Sequence, residues 1–133
     1  MRAFCPIATL SIMLCSLPVA AQETASGVLF RDHCATCHGL TARGDGPMAA
    51  ILAIPATDLT QLAAVNGGVF PLSDVISKID GTVEVLAHGG PMPIFGHALE
   101  GESVPLDGPD GSVTSTTAEI MAIATWLASV QSN

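Results

Sequence analysis

The residues best able to do chemistry stand together at Cys34-Ala35-Thr36-Cys37-His38. Two thiols spaced by two residues and followed at once by an imidazole form the C-x-x-C-H pattern of covalent haem attachment. The spacing has a geometric reason. Thiols about one helical turn apart reach the two vinyl groups along one edge of a porphyrin, and the next residue sets its imidazole under the iron. Three other chemistries use parts of this pattern. A thioredoxin-like pair needs a βαβ context, which the flanking sequence lacks. A zinc site needs four ligands in closed geometry, and His33, Cys34, Cys37 and His38 crowd together with no second C-x-x-C. A Cys34–Cys37 disulfide would constrain almost no chain. The expected cofactor is one haem c, covalently attached, with its iron.

An iron held by His38 on one side takes its sixth ligand from elsewhere in the chain. Met48, Met92 and Met121 are the thioether candidates, with His33, His88 and His97 as rivals. Met121 falls among helix positions that read as core, and Met48 follows closely behind His38. Met92 lies between Pro91 and Pro93, which stiffen the backbone of a loop that can present a thioether. His88 and His97 flank that loop and read as solvent-facing. No base–nucleophile pair is present, so the chain reads as an electron carrier rather than an enzyme.

The elements that must position these residues occupy one domain. The chain has 133 residues, 49 % hydrophobic and 12 % charged, which suits a single domain. Residues 1–21 read as an export signal: Arg2, an apolar run over Ile7–Leu17, then Pro18 and small residues up to a cut after Ala21. An uncleaved membrane anchor is the alternative, weakened by Pro6 and Pro18. The working domain is then 22–133, expected in the periplasm without stable membrane insertion. Cys5 and Cys15 leave with the signal, and so does Phe4, so four aromatic residues remain for a core. Three bases (Arg31, Arg43, Lys78) face twelve acids, a net charge of −9 with histidine neutral. Such a surface excludes nucleic acid, whose phosphates demand Lys and Arg, and anionic lipid. It favours redox protein partners with a basic docking surface.

Periodicity predicts mostly helices. Gly27, Phe30, Cys34 and Cys37 share one face of a helix over 24–38, stopped by Gly39. Short helical turns are expected over 48–54 and, capped by Asp58, over 59–65. Leu72, Val75, Ile76 and Ile79 mark a helix from about residue 72 to Lys78. Pro and Gly rule out regular structure over 87–97, and 98–115 reads as an acidic loop. Thr116 with Glu119 forms a capping box for a last helix carrying Ile120, Ile123, Leu127 and Val130, with Trp126 beside them. The fold class expected from this pattern is all-α, with long irregular loops.

Taken together, CATCHG at 34–39, GDGP at 44–47, PMPIFG at 91–96 and the Trp126 helix resemble the class I c-type cytochromes over essentially all of 22–133. The resemblance implies a cytochrome c-like domain of about four to five helices around the haem. It also implies thioether bonds to Cys34 and Cys37, with iron ligation by His38 on the proximal side and Met92 on the distal side. In that family a backbone carbonyl from a downstream proline holds the proximal imidazole, and both Pro47 and Pro55 qualify. Gly27 would let the first and last helices cross closely, with Phe30 and Trp126 packed at the contact. Two other readings stay open: a haem subunit of a larger dehydrogenase or oxidase, and a gas-binding or peroxidatic haem protein with an open sixth site. The chain departs from shorter members of the family at 98–115.

Overall fold

Local sequence signals start and stop most of the helices. In the computed structural model, which describes residues 24–82, 92–108 and 113–132, Thr24 accepts a hydrogen bond from the Gly27 amide at 3.2 Å and opens α1, Ala25–His33. The expected export signal, His88 and Pro91 lie outside the described residues. The single helix expected over 24–38 is instead two. Cys34 stretches φ to −118° at the junction, closes α1 with its amide on the Phe30 carbonyl at 2.8 Å, and leads into α2, Ala35–His38. Residues 49–51 and 59–61 make single 3-10 turns. Asp58 caps the second through the Thr60 amide at 2.9 Å, and α3, Leu62–Val65, follows directly. The fourth helix, α4, runs Leu72–Asp80 and buries Ile76 and Ile79.

The core forms where α1 and α4 meet the last helix, α5, Ala118–Ser129. Ile120, Ile123, Ala124 and Leu127 face inward from α5, the helical repeat that the sequence carries. Phe30 stacks on Trp126 with ring centroids 4.4 Å apart and planes at 28°, an offset arrangement that contributes beyond area burial alone. Gly27 is buried on the same helix as Phe30. No helix among the described residues is long and apolar enough to cross a membrane.

The fold class departs from the all-α expectation. Residues read as part of an acidic loop form an antiparallel hairpin, β1 (Ser103–Asp107) and β2 (Val113–Thr117), in register Val104↔Thr116 and Leu106↔Thr114. The Ala118 amide then donates to the Glu102 carbonyl at 2.8 Å, seating the hairpin at the start of α5. Valine and threonine suit a pleated strand. Each strand buries one side chain, Leu106 and Thr116, so no alternation of apolar residues announces it in the sequence.

The same hairpin moves the helix cap. Thr116 belongs to β2 and turns inward, where its hydroxyl is buried with no hydrogen-bond partner among the described residues. Thr117 takes the N-cap position, its hydroxyl accepting from the Ile120 amide at 3.3 Å, so the expected Thr116–Glu119 capping box is replaced by a cap one residue later. Thr117→Ala should therefore cost about 1 kcal/mol. Thr116→Val, which removes an unpaired buried hydroxyl at nearly constant shape, should be neutral or stabilise by about 1 kcal/mol. Urea midpoints of the two variants check this; the opposite order would return the cap to Thr116.

Candidate functional site

The C-x-x-C-H residues occupy the junction of α1 and α2. The Cys37 and His38 amides both donate to the Cys34 carbonyl, at 3.2 and 3.0 Å, so one turn gathers the two sulfurs and the imidazole. Both thiols are free, Cys34 buried and Cys37 half-buried. Burial pushes the Cys34 thiol up to about 11 from an ordinary value of 9.0, and the neighbouring Cys37 adds to the shift. A redox-active C-x-x-C does the reverse and stabilises a thiolate. Among the described residues no three His, Cys, Asp or Glu side chains converge to hold a metal ion.

The loop after His38 folds back along α2. The amides of Gly39, Gly44, Gly46 and Met48 donate to the carbonyls of Ala35, His38, Cys37 and Thr36, at 2.8–3.1 Å. Every carbonyl of that short helix, which has no further turn to bond to, is thereby satisfied. The approach is too close for side chains. A Cβ on Gly46 would overlap the Thr36 carbonyl oxygen. Gly44, at φ +80°, faces the Ala56 carbonyl oxygen so closely that a Cβ would overlap it. Gly44 thus lets the 56–57 backbone lie against the loop.

That backbone carries the second partner of His38. The Nδ1–H of His38 donates to the Thr57 carbonyl at 3.0 Å. Because a carbonyl oxygen can only accept, the bond selects the tautomer with hydrogen on Nδ1 and leaves the Nε2 lone pair for an electrophile. Nε2 has no hydrogen-bond partner among the described residues. The expected carbonyl from Pro47 or Pro55 is corrected to that of Thr57. Pro55 contributes stiffness two residues upstream, but the Leu59 amide bonded to the Ala42 carbonyl at 2.8 Å sets which carbonyl faces the ring. Asp58, next in sequence, is held below the usual carboxylate range, chiefly by the Thr60 hydroxyl at 2.6 Å.

Met92 is half-buried and packs against the core, in an irregular segment. Its loop is anchored on α4 by the Phe95 amide, which donates to the Ile79 carbonyl at 2.9 Å. The Phe95 ring meets His33 edge-on at 6.4 Å, so the loop reaches the end of α1 next to Cys34. His33 is half-buried in that contact, and His97 is exposed. Met121 packs against the core and Met48 is partly exposed on the His38 loop. An open concavity of about 490 Å³ beside α2 is lined by Arg31, Thr36, Leu40 and Asp45 among others, and by neither thiol, nor His38, nor Met92.

Several aliphatic side chains in the segments that follow the motif are exposed. Leu40 is 72 % exposed, Ile51 75 % and Val65 80 %, and Ile54, Val69 and Ile94 are exposed as well. These aliphatic side chains lie in the segments after His38 and beside Met92. Val113, on the hairpin, is exposed to a similar degree. The chain matches no protein family, no curated protein and no solved structure with which it was compared.

The Cys34 thiol makes the site testable by pH. Its pKa is raised in the fold, so the thiol form contributes stability that is fully present below the unfolded value near 9 and lost as pH rises through about 11. The loss should reach about 3 kcal/mol. Urea unfolding from pH 8 to 11 should show it in the free-thiol chain and not in Cys34→Ala. A chain with a thioether at Cys34 has nothing to titrate there and should also lack it.

Proposed function

We propose that the chain is a monohaem c-type electron carrier, akin to the class I c-type cytochromes, exported to the periplasm after loss of residues 1–21. Cys34 and Cys37 would hold the haem through thioether bonds, with His38 Nε2 and Met92 Sδ as the two axial ligands. The observation that carries this reading is the tethered imidazole: a histidine in the same turn as two unpaired thiols, its Nδ1–H committed to the Thr57 carbonyl at 3.0 Å. Metal-binding histidines characteristically donate their second ring N–H in this way, which fixes the ring and raises its basicity. Bound haem supplies a one-electron Fe(III)/Fe(II) couple, and a His/Met pair raises its potential.

The chain's own residues do the rest. Thr57 orients the imidazole. Phe95, anchored on α4 and set against His33, keeps the Met92 loop near the thiols. The acidic surface steers a basic redox partner. A haem subunit of a larger complex would use the same residues.

Two outcomes are expected. Acid-acetone extraction should leave the colour with the polypeptide, and haem passing into the organic phase from the wild type would overturn the proposal. Cys34→Ala and Cys37→Ala should impair attachment. Met92→Ala should abolish the weak far-red charge-transfer band of thioether-ligated ferric haem and lower the reduction potential, since soft sulfur favours Fe(II). Met48→Ala, Met121→Ala, His88→Ala and His97→Ala should keep the band. Retention of the band by Met92→Ala would move the distal ligand elsewhere.

A further inference from the structure

Gln131, beyond the last turn of α5, makes three hydrogen bonds with one side chain. Its Nε2 donates to the Leu59 and Leu127 carbonyls, each at 2.8 Å, and its Oε1 accepts from the Ala63 amide at 2.9 Å. The partners fix the amide's orientation, because an N–H can only donate and a carbonyl can only accept. Both hydrogens of the amide nitrogen are used. Ser132 reinforces the contact: its amide donates to the Thr60 carbonyl at 2.8 Å, and its hydroxyl meets the Thr60 hydroxyl at 3.2 Å.

These bonds clamp residues 59–63 onto the end of α5. The same segment is tied on its other side by the Leu59 amide to the Ala42 carbonyl at 2.8 Å. Thr60 passes the constraint one step further through its amide and hydroxyl bonds to Asp58, at 2.9 and 2.6 Å. Asp58 adjoins Thr57, whose carbonyl receives the His38 Nδ1–H. Without the clamp, α3 and the turn before it are too short to hold themselves in place.

The geometry points to Gln131 as a positioning residue for His38, a latch that sets the Thr57 carbonyl against the imidazole from beyond the last turn of α5. The inference rests on the haem reading for its functional consequence. A weaker Nδ1–H···O bond makes Nε2 a poorer donor and disfavours Fe(III), so releasing the latch raises the reduction potential. Releasing it also lets the Nδ1–H···O bond open more often, so that the Nδ1 proton exchanges faster with solvent.

The test compares the wild type with Gln131→Ala and with Ser132→Pro, which removes the amide bonded to Thr60 by a different substitution. Ser129→Ala is the control, since the Ser129 hydroxyl bonds the Trp126 carbonyl within α5 at 2.7 Å. Solvent exchange of the His38 Nδ1 proton is read by NMR, in the reduced state where haem is bound, beside the reduction potential. Gln131→Ala and Ser132→Pro should exchange about tenfold faster with an upward shift in potential, and Ser129→Ala should move neither. If one latch variant fails to fold, the other decides. Wild-type exchange rates in both latch variants overturn the latch, as does a wild type with no protected Nδ1 proton. A wild type without covalent haem overturns the proposed function instead, while the exchange comparison still decides the latch.

Discussion

One N–H···O bond across 19 residues, from His38 Nδ1 to the Thr57 carbonyl, organises the site. It joins a helix of four residues to a stretch of extended chain, and neither has the length to hold a ring in a set direction. Their rigidity comes from neighbours. Amides from the Gly39–Met48 loop satisfy the α2 carbonyls, Gly44 lets the 56–57 backbone approach, and Gln131 with Ser132 ties the following segment to α5. Each tie is a modest interaction. Together they leave Nε2 as the imidazole nitrogen with its lone pair available.

The packing has two unequal parts. Around α5 the chain is well covered: Phe30, Ile76, Leu99, Ile120 and Ile123 are each almost fully buried, and Phe30 stacks on Trp126. Between residues 40 and 69 it is less so: Leu40, Ile51, Ile54, Val65 and Val69 stand in the open. A small domain has little apolar surface to leave uncovered.

The helices were legible in the sequence because their signals are local. Ile120, Ile123 and Leu127 on α5, and Val75, Ile76 and Ile79 on α4, declare a buried face by spacing alone. Asp58 also capped the turn expected of it. The hairpin was not legible: Leu106 and Thr116, the one buried side chain of each strand, include a threonine, and their pairing depends on segments meeting across a turn. The cap moved from Thr116 to Thr117 for the same reason, since the strand claims the first threonine before the helix begins.

The sequence by itself determined which side chains could do chemistry and that they share one turn, because Cys34, Cys37 and His38 are set by covalent spacing. It also determined the acidic charge and the helical faces. The tertiary structure decided which carbonyl holds the imidazole, which threonine caps α5 and how the Met92 loop is anchored. Those outcomes turn on backbone groups that every residue carries, so residue identity at Thr57 or Ile79 holds no record of them. Only the packing of distant segments, through Ala42, Ala56 and Gln131, selects one carbonyl from its neighbours.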